Sequence, residues 1–95
     1  MDKAHLATIL SMASGKEGAD GFSELPDGKS ITWYVAHAGA SMNISKTTGC
    51  KVDGSLFIAR NTKGELYAVD LADVFGASIE GGSAASPARR AGFAT

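Results

Sequence analysis

Few residues in this chain have the types to do chemistry, and those few are scattered. Cys50, the single cysteine, and the two histidines, His5 and His37, are the candidates for a nucleophile and its base. Such a pair needs the imidazole within hydrogen-bond reach of the thiol and a third group to orient the ring, and nothing along the chain fixes that proximity. Lying between a polar stretch and a hairpin, Cys50 reads as a small half-buried residue. His5 reads as an exposed helix residue and His37 as a solvated residue at a strand end. Asp70 and Asp73 stand three apart, so they can share one face of a helical turn. A hard cation would need several more oxygen ligands than this stretch supplies, and capping of the turn by Asp70 accounts for the acid more economically. Ser14-Gly15-Lys16 has the end of a phosphate-binding loop without the upstream glycine or the preceding strand. The expectation is a chain with no catalytic, cofactor-binding or metal-binding residues, acting by contact.

Contact chemistry has three candidate surfaces. Tyr34 and Tyr67, with Lys29, Lys51 and Lys63, offer aromatics that can stack on bases and ammonium groups that can meet phosphates. Charge argues against nucleic acid as the partner: residues 1–82 carry seven Lys/Arg against ten Asp/Glu, a net of −3. The second surface is the stretch after the domain. Gly81-Gly82-Ser83-Ala84-Ala85-Ser86-Pro87 is rich in small and helix-breaking residues, so the sequence predicts one domain over 1–82 and a flexible tail over 83–95. In that tail Arg89, Arg90 and Phe93 read either as part of an ordinary solubilising terminus or as a short docking motif, an aromatic anchor with two arginines that select an acidic partner. The third surface is the last strand, Val74 to Glu80. There Val74 and Ile79 belong to a mostly uncharged edge that can pair with a second copy.

The elements that must position these residues follow from turn signals and periodicity. Asp2 can cap a helix whose apolar positions Leu6, Ile9, Leu10 and Ala13 recur at three- and four-residue steps, with Gly15 as its stop. Lys16 to Gly21 is loop by composition, and Phe22 to Leu25 is a short strand. Pro26-Asp27-Gly28 is a turn, because proline presets one φ and glycine supplies the positive φ after it. Ile31, Trp33 and Val35 alternate with Thr32, Tyr34 and Ala36, which marks a strand with a core face and a wetter face. Ala38-Gly39-Ala40 allows a tight bend, Ser41 to Ser45 returns as a strand, and Lys46 to Gly49 is polar loop. Asp53-Gly54 sits at the centre of a two-residue hairpin turn. Asn61 to Gly64 is a four-residue turn closed by Gly64 in the left-handed region. Leu56 and Ile58 oppose Phe57 and Ala59, and Trp33 with Ile58 is expected to share the core. Both faces of this hairpin are apolar, so the sheet is curled on itself or covered by a helix. Asp70 to Asp73 is one helical turn, and Val74 to Glu80 is the final strand.

This order, a helix and then about five strands with a helical turn before the last, resembles the small SH3-like or Sm-like barrel over residues 3–80. The fold class is mainly β, with an N-terminal α-helix; a profilin-like or roadblock-like α/β domain, with Val35 to Ser45 as its middle helix, is the alternative. The resemblance implies architecture only. Sm proteins commonly form rings that bind RNA, yet no stretch here matches their RNA-contacting motifs. The expected function is a non-enzymatic protein-interaction module, a homo-oligomer subunit acting through a sheet edge or its tail, with RNA or single-stranded nucleic acid binding as the alternative. No apolar run approaches the ~18 residues of a membrane span and no signal peptide is visible, so a cytoplasmic protein without membrane partners is expected.

Overall fold

A computed structural model describes residues 1–81; the predicted boundary at residue 82 and Arg89, Arg90 and Phe93 lie outside the described residues. The chain is mainly β, with one N-terminal helix and one curled antiparallel sheet in the form of a half-barrel. The helix α1, Lys3–Met12, begins where expected because the Asp2 carboxylate accepts from the His5 backbone N–H at 2.8 Å. It ends at Met12, three residues before Gly15: Ser14, not the glycine, takes the left-handed turn at φ 63°, and the Gly15 N–H donates to the Leu10 carbonyl at 2.8 Å. Leu6 and Ala13 are buried in the core, and Ile9 and Leu10 pack against it.

The predicted loop and short strand form a small hairpin, β1 (Lys16–Glu17) with β2 (Ser23–Glu24). It is fastened to the sheet by the Phe22 ring, over which the Arg60 guanidinium lies 4.3 Å and the Lys51 ammonium 4.9 Å from the centroid. Arg60 also reaches Glu24 at 2.9 Å. Gly49 leaves room for this crossing, since a Cβ there would stand 3.2 Å from Arg60 Nη2.

The long strands carry the fold. β3 (Lys29–His37) turns through Ala38-Gly39, both at positive φ, into β4 (Ala40–Asp53). β4 then runs unbroken through the stretch expected to be loop, and the middle helix of the α/β alternative is strand and turn instead. Lys46-Thr47-Thr48-Gly49 was polar enough to read as loop because it is where β4 bends. The strand carries an extra residue against β3 between Ile44 and Thr47, another against β5 between Thr47 and Gly49, and Lys46 sits at φ 59°. Its first half pairs with β3 and its second half with β5 (Leu56–Asn61), so the bend is what curls the sheet.

The β4–β5 turn is centred on Gly54-Ser55, one residue later than Asp53-Gly54, because Asp53 already pairs with Leu56. The next turn is as expected: Gly64 lies at φ 80°, and the Asn61 side chain accepts from the Lys63 and Glu65 N–H groups while donating to Glu65 Oε1. β6 (Leu66–Asp70) follows. Asp70 caps a single 3-10 turn, Leu71–Asp73, and β7 (Val74–Gly81) returns to pair with β3.

Inside the curl, Ile31, Trp33, Val35, Ile44, Cys50, Phe57, Ala59, Leu71 and Val74 are buried, and Trp33 meets Phe57 edge-on at 4.9 Å. Phe57, not Ile58, is therefore the partner of Trp33. Ile58 faces outward beside Lys51 and Ala68 and is only half-buried. The expected alternation along β5 holds, but its inward face is Phe57 and Ala59 and not Leu56 and Ile58, because two apolar faces look alike until the direction of the curl is known. Among the described residues, Trp33 Nε1 and Thr47 Oγ1 have no hydrogen-bond partner inside, a cost of about 1–3 kcal/mol each that the aromatic packing must outweigh. Among the described residues no helix is long and apolar enough to cross a membrane.

Candidate interaction surface

Among the described residues the sheet is a half-barrel with two open ends. Its strand order runs β6-β5-β4-β3-β7, so among the described residues β7 has a sheet neighbour on one side only and so has β6. Such an edge presents backbone N–H and C=O groups that can pair with another strand.

Among the described residues, β7 is also where the most exposed aromatic sits. Tyr34 pairs with Gly76 and Val35 with Val74, which leaves Phe75 as an extra, unpaired residue on β7. A bulge re-aims its side chain, and Phe75 is 68% exposed between Val74, at 0%, and half-buried Gly76. The Tyr34 ring stands 6.3 Å from it, tilted by 36°, and the Tyr34 hydroxyl is hydrogen-bonded to Ser78 Oγ at 2.9 Å. A groove of ≈ 420 Å³ runs beside Phe75 between α1 and the start of β7, lined by His5, Ile9, Ala72 and Val74 among others. The terminal ammonium of Met1 fixes its floor by donating to the carbonyls of Val74 at 2.7 Å and Leu71 at 3.1 Å.

A second groove, of ≈ 330 Å³, opens where the β3–β4 hairpin faces β6. Val35, Ala40, Met42 and Val69 line it together with Asp70 and Asp73. Across it His37 Nδ1 lies 3.0 Å from Asp73 Oδ2 and ties the end of β3 to the helical turn, while the His37 side chain stays 75% exposed.

The chain matches no protein-family model, no curated protein and no solved structure.

The residues singled out from sequence divide accordingly. Tyr34 is on the β7 side, half-buried and hydrogen-bonded. Tyr67 is on β6, at the other end of the strand order, packed partly against the core. Val74 is no contact side chain: it is fully buried beneath the helical turn, and Ile79 is half-buried against the core. Of the lysines, Lys51 is held over Phe22, far from a role shared with Tyr34. His5 is exposed and paired with its own cap, Asp2, at 3.2 Å. Cys50 is more buried than expected, 1% exposed, and loss of solvent pushes its thiol up to about 12, so it stays protonated and poorly nucleophilic. Simple alternation gives no warning of the bulge that exposes Phe75. The only local signal was a large aromatic beside a glycine at a strand start.

Proposed function

We propose that this chain is a small barrel of the SH3-like or Sm-like kind and works as a non-enzymatic interaction subunit that associates with copies of itself through the β7 edge. The carrying observation is the combination on one strand of an edge that no described residue pairs and Phe75, a large apolar side chain held 68% exposed. Isolated apolar residues on a surface are ordinary. This one stands on an unpaired edge, beside a groove and against Tyr34, where a partner strand would cover ring and backbone together. The order of elements supports the barrel reading: a helix, a long bent strand shared by two halves of the sheet, and a helical turn before a last strand that returns to β3.

The test is the mass of the chain in solution, by sedimentation from low micromolar to near-millimolar concentration, for the wild type and Phe75→Glu. Association that rises with concentration and is lost in Phe75→Glu is the expected result. A wild type that is monomeric throughout, or a variant that assembles equally well, defeats the proposal. Proline at Ser78 is the less clean way to break the edge, because the Ser78 hydroxyl also holds Tyr34. Binding of an oligonucleotide that falls steeply with added salt would point instead to a nucleic-acid role.

A further inference from the structure

Among the described residues the curled sheet has two unpaired edges, and the reading above uses one of them. The other is β6, and it too carries a large apolar side chain: Leu66 is 61% exposed, second among the described strand residues to Phe75.

Pairing fixes the face on which each stands, because opposite residues in a ladder point to the same side and neighbours along a strand to opposite sides. Leu66 is opposite Arg60 and Ala68 opposite Ile58, while Phe57 and Ala59, the alternate residues of β5, are buried. Leu66 and Ala68 therefore stand on the outer face of the curl. At the other edge Trp33 is buried inside and Tyr34, opposite Gly76, is outside, with the Phe75 ring beside it. The two edges thus show apolar side chains on the same face.

The strand that covers Phe75 must bring an apolar neighbour to it. A second β7, paired antiparallel over three or more residues with outer face to outer face, sets Ser78 or Glu80 opposite Gly76. A hydroxyl or a carboxylate then comes beside the ring, and Leu66 stays bare. β6 does better on both counts. With Leu66 opposite Ser78 and Ala68 opposite Gly76 the faces match, and both apolar residues lie beside Phe75. No acid faces another there, since Glu65 comes opposite Ile79 and Glu80 opposite Gly64. We infer that the β7 edge of one copy pairs with the β6 edge of the next, head to tail, with Phe75 packed against Leu66 and Ala68. The inference rests on the self-association proposed above and names the strand that β7 meets. A contact between two different edges leaves one edge of each kind open at the ends of any pair, so association continues past two copies.

The test is sedimentation of the full chain from low micromolar to near-millimolar concentration, for the wild type, Phe75→Glu, Leu66→Glu and an equimolar mixture of the two variants. Leu66→Glu places its carboxylate opposite Arg60 at an exposed position, and Ala68→Glu, also exposed, replaces it if that variant does not fold. The wild type should grow beyond a dimer. Each variant alone should need about tenfold or more the wild-type concentration to associate. The mixture should form one-to-one pairs and stop there, because the intact β6 of Phe75→Glu meets the intact β7 of Leu66→Glu. A wild type that stops at a dimer overturns the inference, as does Leu66→Glu associating alone like the wild type; in either case loss of association in Phe75→Glu leaves the β7 proposal standing. A mixture no more associated than either variant alone overturns it as well. A wild type that never associates, or Phe75→Glu associating unimpaired, removes both readings.

Discussion

Two phenylalanines from this chain have opposite fates. Phe57 is 0% exposed, edge-on to Trp33 at the centre of the curl; Phe75 is 68% exposed on the free strand, beside Tyr34. Both lie in strands and both follow a turn. The difference is the bulge: Phe57 pairs regularly with Val52 and Val69, and Phe75 has no opposite residue on β3. A large apolar side chain in this protein therefore serves cohesion where the ladder is regular and is free for contact where the ladder slips.

The comparison can be broken at its strong end first. Phe57→Ala should lower unfolding free energy by about 3–5 kcal/mol, because it empties the space against Trp33. Denaturant titration measures the loss, and a value below about 1 kcal/mol would remove Phe57 from the centre of the core.

Cys50, buried in the same cluster, gives a smaller effect that depends on pH. Its thiol is raised from 9.0 to about 12 by burial alone. Above pH 9 the unfolded chain loses the thiol proton while the folded chain keeps it, so stability present below pH 9 should fall as pH rises toward 12. Cys50→Ala should flatten that part of the stability curve. Identical alkaline slopes for the two proteins would show that the thiol is solvated in the native state.

Ile58→Ala sharpens the same contrast one residue away from Phe57. Half-buried on the outer face, Ile58 should cost less than about 1.5 kcal/mol, well under the Phe57 value. A cost equal to that of Phe57→Ala would reverse the assigned faces of β5. Smallest of all is the stability change in Phe75→Glu, within about 0.5 kcal/mol, so that its effect on association reads the edge and not the fold.

Much of this fold was legible along the chain, and the legible parts share a cause. The Asp2 cap, the Pro26-Asp27-Gly28 turn, the Asn61–Gly64 turn and the Asp70 cap each depend on interactions within a few residues, whereas Thr32, on the face expected to be wetter, is buried with Ile31 and Trp33 by neighbours far along the chain. Local stereochemistry and hydrogen bonding decide such caps and turns wherever they occur. The misread parts are equally consistent. The bend of β4 at Lys46–Gly49 looked like a loop, since a polar stretch inside a sheet is visible only once both of its partners, β3 and β5, are in place.

Of the candidate surface, the sequence determined that the last strand follows a capped helical turn, that the acids lie in the body and that Arg89, Arg90 and Phe93 follow it. Tertiary structure alone decided which residues of that strand are available. Pairing of β7 with β3 buries Val74, half-buries Ile79 and expels Phe75 at a bulge, because the register between strands far apart in the chain is fixed by the packing of Trp33 and its neighbours and by no signal within β7 itself. The curl likewise brings Val35 and Met42 opposite Val69, Asp70 and Asp73 and so creates a groove. No stretch of the sequence contains that groove, since its walls come from strands whose meeting depends on the bend in β4.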